Sequence, residues 1–69
     1  MFHLGQLVKT SSGRCVGVVE SINSTEFTIR YFFNLINEFT LRDGHNLKHY
    51  STTYNIRSPT DYNHWYAVE

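Results

Sequence analysis

The chain has 69 residues, with six Lys and Arg balanced by six Asp and Glu, four His, one Cys and one Pro. That length allows a single domain, residues 1–69, with a marginal core, since chains this short bury only about 60% of the surface exposed on unfolding. A lone Cys excludes an internal disulfide, zero net charge argues against a strong electrostatic hold on nucleic acid, and no apolar run approaches the ~20 residues that span a bilayer.

Met1-Phe2-His3-Leu4-Gly5 carries neither the basic nor the apolar region of a signal peptide, so a cytoplasmic location is expected. Leu7-Val8-Lys9-Thr10 predicts a short first strand. Ser11-Ser12-Gly13-Arg14 predicts a turn, with Gly13 free to take positive φ. Cys15-Val16-Gly17-Val18-Val19-Glu20-Ser21-Ile22 predicts a second strand, and Gly17 within it suggests a bulge or sharp bend. After the polar connection Asn23-Ser24-Thr25, the residues Phe27, Ile29, Tyr31 and Phe33 alternate with Glu26, Thr28, Arg30 and Phe32. That period of two predicts a third strand with the first set inward.

Further along, Asn34-Leu35-Ile36-Asn37 reads as a connection. Glu38-Phe39-Thr40-Leu41-Arg42 reads as a strand with Phe39 and Leu41 inward. This places Leu35 and Ile36 at an exposed hairpin tip. A competing pattern crosses the same segment: Phe32, Leu35, Ile36 and Phe39 have helical spacing, and a helix over 30–42 would end well at Gly44. Asp43-Gly44-His45-Asn46 is the strongest turn signal in the chain. Residues 51–69 are richer in Tyr and Trp and poorer in aliphatics. Within them Tyr54-Asn55-Ile56-Arg57 suggests a strand, Ser58-Pro59-Thr60-Asp61 a turn, and His64-Trp65-Tyr66-Ala67-Val68 a short strand covering an edge.

The stretch Leu4-Gly5-Gln6-Leu7-Val8-Lys9, then Gly13-Arg14, then Gly17-Val18-Val19-Glu20 resembles the opening of small SH3-like barrels of the KOW and Tudor kind. Asn46-Leu47-Lys48-His49-Tyr50 is similar to the helical turn and last strand that close them. The resemblance implies an all-β fold: a strongly bent antiparallel barrel of about five strands over residues 3–50, with 51–69 as an aromatic extension. Gln6 departs from the pattern, since an acidic residue is common there. The basic excess of ribosomal and transcription-factor members is also absent.

No catalytic constellation is visible, so an enzyme is not expected. A nucleophile needs a positioned base and an orienting group. Cys15 reads as a buried structural thiol, and the carboxylates are scattered. His45 and His49 are spaced to share a metal on one helical turn, but the Cys pairs that usually accompany them are missing. No metal, cofactor or small-molecule substrate is therefore expected.

The aromatics carry the functional expectation. Five Phe, five Tyr and one Trp exceed what so small a barrel can bury, so some lie at the surface. Exposed rings near Arg stack bases or seat peptide side chains. Arg30, Phe32, Tyr50, Tyr54, Arg57, Trp65 and Tyr66 are the candidate partner-binding residues, with Leu35 and Ile36 at the tip. The competing expectation is that Trp65 and Tyr66 fold back to complete the core. Charge balance ranks a protein partner or self-association first, as an adaptor, a complex subunit, or an inhibitor of a larger enzyme or polymerase. The alternative is an RNA or single-stranded DNA module of transcription or translation, with Arg14, Arg30, Arg42 or Arg57 on phosphates.

Overall fold

The computed structural model describes residues 2–33 and 49–68. They form an all-β fold of five antiparallel strands: β1 (Leu7–Thr10), β2 (Cys15–Ile22), β3 (Glu26–Phe33), β4 (Tyr50–Asn55) and β5 (Trp65–Ala67). A single 3-10 turn, Pro59–Asp61, lies between β4 and β5. The strands make one sheet in the order β4-β3-β2-β1-β5.

The turns follow from their residues. Gly13 takes φ +75°, and its N–H donates to the Thr10 carbonyl at 2.8 Å, closing the turn between β1 and β2. Between β2 and β3, Asn23 Oδ1 accepts the backbone N–H groups of Thr25 and Glu26, both at 2.8 Å. This is the local side-chain bonding that makes Asn a turn residue. Pro59 begins the 3-10 turn, where its missing N–H costs nothing.

The bulge expected at Gly17 lies elsewhere. Gly17 stays in register, between Val8 on β1 and Tyr31 on β3. The irregularity falls between Val19 and Ser21, where Glu20 is the extra residue. Gly17 answers a different need, close packing. A Cβ there would lie 2.6 Å from the Arg30 carbonyl oxygen and 2.7 Å from Tyr31 Cβ.

Alternation puts Val8, Val19, Phe27, Ile29 and Trp65 in the core, with Phe2, Cys15, Tyr31, Tyr54, Ile56 and Tyr62 packed half-buried around them. Phe27 is the hub, meeting Tyr62 edge-on at 4.8 Å between ring centroids and Phe2 at 5.8 Å. Two polar tips are satisfied inside this cluster. The Tyr62 hydroxyl donates to the Ile56 carbonyl at 2.6 Å, and Trp65 Nε1 donates to the Tyr54 hydroxyl at 3.0 Å.

That last bond measures the curvature of the sheet. Tyr54 is on β4 and Trp65 on β5, the two edges of the sheet. In a flat sheet, four spacings of about 4.8 Å would hold them roughly 19 Å apart. The sheet is therefore curled until its edges meet through side chains. No backbone pairing joins β4 to β5, so the barrel is not closed.

The segment expected as an extension thus supplies two of the five strands. The strand expected over 54–57 starts earlier, at Tyr50. Of the helical turn and last strand expected at 46–50, residues 46–48 lie outside the described residues and Tyr50 opens β4, while the short edge strand expected at 64–68 is present as Trp65–Ala67, paired with β1. Phe33 takes the inner side expected of it, edge-on to Tyr31 and Tyr50, but is left exposed because it ends β3. The helix considered over 30–42 does not begin at its expected start, because residues 30–33 belong to β3. The remaining expectations between residues 34 and 48, including the connection at Asn34–Asn37, the strand at Glu38–Arg42, the turn at Asp43–Asn46, and Leu35, Ile36 and His45, lie outside the described residues.

Candidate functional site

Each strand has two faces, and only one is spent on the core. Because Val8 and Val19 point inward, Leu7, Val16 and Val18 point outward. Leu7 stands across from Val18, which stands across from Arg30; Lys9 stands across from Val16, which stands across from Phe32. The outer face is consequently apolar along its middle. Leu7, Val16, Gly17, Val18, Arg30, Phe32 and His49 line a shallow groove with a volume of about 270 Å³. Leu7 is 52% exposed there. The Phe32 ring meets the His49 ring edge-on, with centroids 6.0 Å apart.

The charges around the groove are few. Lys9 and Arg30 are exposed, and neither has an ion pair among the described residues. Ser51 lies across from Arg30, and its hydroxyl donates to Glu20 Oε2 at 3.3 Å. The bulge thus holds the Glu20 carboxylate on this face near Arg30, and Glu26 stands on the same face at the start of β3. Tyr66 stands across from Lys9 at the opposite border and is half exposed.

The candidate residues therefore divide. Arg30, Phe32 and Tyr66 share the outer face. Trp65 and Tyr54 are hydrogen-bonded to each other in the core. Tyr50 belongs to the inner side, stacked on Tyr31 with centroids 5.7 Å apart and 41% exposed at its rim. Phe33 meets Tyr50 edge-on at 5.4 Å. Arg57 sits after β4, where its backbone N–H donates to Asn55 Oδ1 at 2.8 Å; nothing brings it to the outer face. The sequence reading missed Leu7, Val16, Val18, Lys9 and His49. The signal for the aliphatics was present: adjacent Leu7 and Val8, or Val18 and Val19, cannot both face inward on a strand.

Partial burial pushes the Cys15 thiol above its ordinary pKa, with the Arg14 cation pulling the other way. The thiolate is disfavoured, which fits a packing role. Among the described residues no group of three or more His, Cys, Asp or Glu could hold a metal ion. No helix among them is long and apolar enough to cross a membrane.

No protein-family model, curated protein or solved structure matches this chain.

Proposed function

We propose that this chain is a small SH3-like binding module, without enzymatic activity, that docks a protein partner on the outer face of its sheet. The observation that carries the reading is the groove of Leu7, Val16, Val18 and Phe32 with Arg30 at its side. These apolar side chains are half-buried or exposed, although only five apolar side chains among the described residues are buried to stabilise the fold. An apolar strip on the solvent side of so small a domain supports a docking role. The groove volume of about 270 Å³ falls below the roughly 300–1,000 Å³ of small-molecule sites. It suits one or two side chains of a partner better than a substrate or cofactor. The strand order, in which β5 returns to pair with β1, supports the SH3-like reading.

The test is affinity capture from native lysate, with and without nuclease, using the wild type and Leu7→Glu. A stoichiometric protein retained after nuclease and lost from a folded Leu7→Glu variant is the expected result. No partner, together with a monomer in sedimentation, overturns the reading. Lys9, Arg30, Phe32 and Tyr66 on one face favour a second reading, in which bases stack on the rings and phosphates meet the cations. It ranks lower because the net charge is zero. Capture that depends on nucleic acid would promote it.

A further inference from the structure

We propose that β4 is a self-association edge, along which a second copy of this chain pairs antiparallel about a two-fold axis at Thr53. This goes beyond the docking reading above, because it uses a strand edge rather than the outer face.

The hydrogen-bond phase of β4 decides which backbone groups it offers. The Ile56 N–H donates to the Thr25 carbonyl at 2.9 Å, and the register of β3 with β4 runs on from there, pairing Phe27 with Tyr54, Ile29 with Thr52 and Tyr31 with Tyr50. Bonded and non-bonded pairs alternate in an antiparallel ladder. Tyr50, Thr52 and Tyr54 therefore aim their backbone groups at β3, while Ser51, Thr53 and Asn55 aim theirs away. Among the described residues the Asn55 carbonyl alone finds a backbone partner on that side, the Ser58 N–H at 3.0 Å.

No strand lies beyond β4 among the described residues. Open edges of monomeric proteins are blunted by charges, Pro, a bulge or very short length. The other edge, β5, is three residues long. β4 has six residues, Tyr-Ser-Thr-Thr-Tyr-Asn, and an unbroken register with β3. It carries none of those devices.

The same strand suits itself as the partner. The antiparallel register that pairs all three outward-aimed residues sets Thr53 against Thr53 of the second copy, and Ser51 against its Asn55. On the inner side it sets Thr52 against Tyr54, a β-branched and aromatic pair of the stabilising kind. Charge enters only at the two ends, and with opposite signs. The Ser51 hydroxyl donates to the Glu20 carboxylate at 3.3 Å. The facing Asn55 holds Arg57 beside it, since the Arg57 N–H donates to Asn55 Oδ1 at 2.8 Å. Each end thus turns a carboxylate of one copy toward a cation of the other, and the two-fold axis repeats the arrangement.

The experiment is sedimentation equilibrium of the full chain up to about 1 mM, the reach of weak contacts, with amide hydrogen exchange on the same samples. A concentration-dependent dimer is expected. The Ser51 and Thr53 amides should exchange more slowly as it forms, while those of Thr52 and Tyr54 change little. Thr53 is exposed, so Thr53→Lys and Thr53→Glu, each checked for fold by circular dichroism, put like charges together at the axis. Each should weaken the dimer by roughly tenfold, and an equimolar mixture of the two should restore it as a heterodimer. A monomer at every concentration overturns the proposal. A dimer that leaves the Ser51 and Thr53 amides unprotected overturns it without recourse to any variant. So does a dimer indifferent to Thr53→Lys, or a mixture that stays dissociated. Loss of the dimer in Leu7→Glu but not in Thr53→Lys would move self-association to the outer face and overturn the edge pairing; affinity capture decides the docking reading separately.

Discussion

Trp65 and Tyr66 are neighbours in the chain and belong to opposite sides of the sheet. Trp65 stands across from Thr10 and is buried at 5% exposure; Tyr66 stands across from Lys9 and is 50% exposed. One residue of the pair completes the core and the other is left for solvent or a partner.

The two positions should separate cleanly on substitution. Trp65→Ala removes a large core side chain, and a loss of about 3–5 kcal/mol is expected. Tyr66→Ala removes an exposed ring and should change stability by no more than about 0.5 kcal/mol. Urea unfolding followed by circular dichroism reads both. A Tyr66→Ala variant that unfolds as readily as Trp65→Ala would contradict the assigned faces.

Tyr54→Phe tests the bond that joins the sheet edges. It keeps the ring and removes the acceptor for Trp65 Nε1. The expected cost is about 1–3 kcal/mol, because the indole N–H is left unpaired in a buried setting. Near-ultraviolet circular dichroism of the single Trp should change with it.

Gly17→Ala is expected to be worse than its size suggests. The added methyl would meet the Arg30 carbonyl oxygen at 2.6 Å, and backbone at that distance has no rotamer by which to move away. A cost of about 1–3 kcal/mol is the usual scale of overpacking. Gly13→Ala has open space around it and pays only for its positive φ, about 1–2 kcal/mol. The ranking of the two midpoints in one denaturation series checks the distinction.

The raised pKa of Cys15 implies a direction for stability against pH. The folded state holds the thiol proton more tightly than the unfolded state. Its contribution is fully present below the ordinary thiol range, about 8.5, and is lost as pH rises through the higher folded value. Cys15→Ser should flatten that alkaline decline. Alkylation of the native protein near neutral pH should also be slower than after denaturation.

The first three strands were legible because their signals agree. Alternation from Phe27 to Phe33, β-branched residues across Val16, Val18 and Val19, and turns at Gly13 and Asn23 all point one way. The fourth strand was harder to place. Its run Tyr50-Ser51-Thr52-Thr53-Tyr54-Asn55 has little contrast between inward and outward positions, so only the end near Tyr54 registered. The pairing of Trp65–Ala67 with β1 is a long-range contact that no local pattern announces. The site was legible only in part for a related reason. Arg30, Phe32 and Tyr66 carry suitable chemistry, but so do Tyr54 and Trp65. Register, not residue type, decides which of them face out.

The pairing of Val8 with Ala67 also has a kinetic meaning. The earliest strand finds one of its two neighbours only after a loop has closed around nearly the whole described chain. Such non-local topologies fold on the slow end of the scale for small domains, in roughly milliseconds to seconds. The same contact is held by a strand of three residues, short enough to detach before the rest of the sheet opens. When it does, β1 is left as a bare template for another chain. Detachment of β5 would thus add a longer strand edge to the open edge that β4 already presents among the described strands.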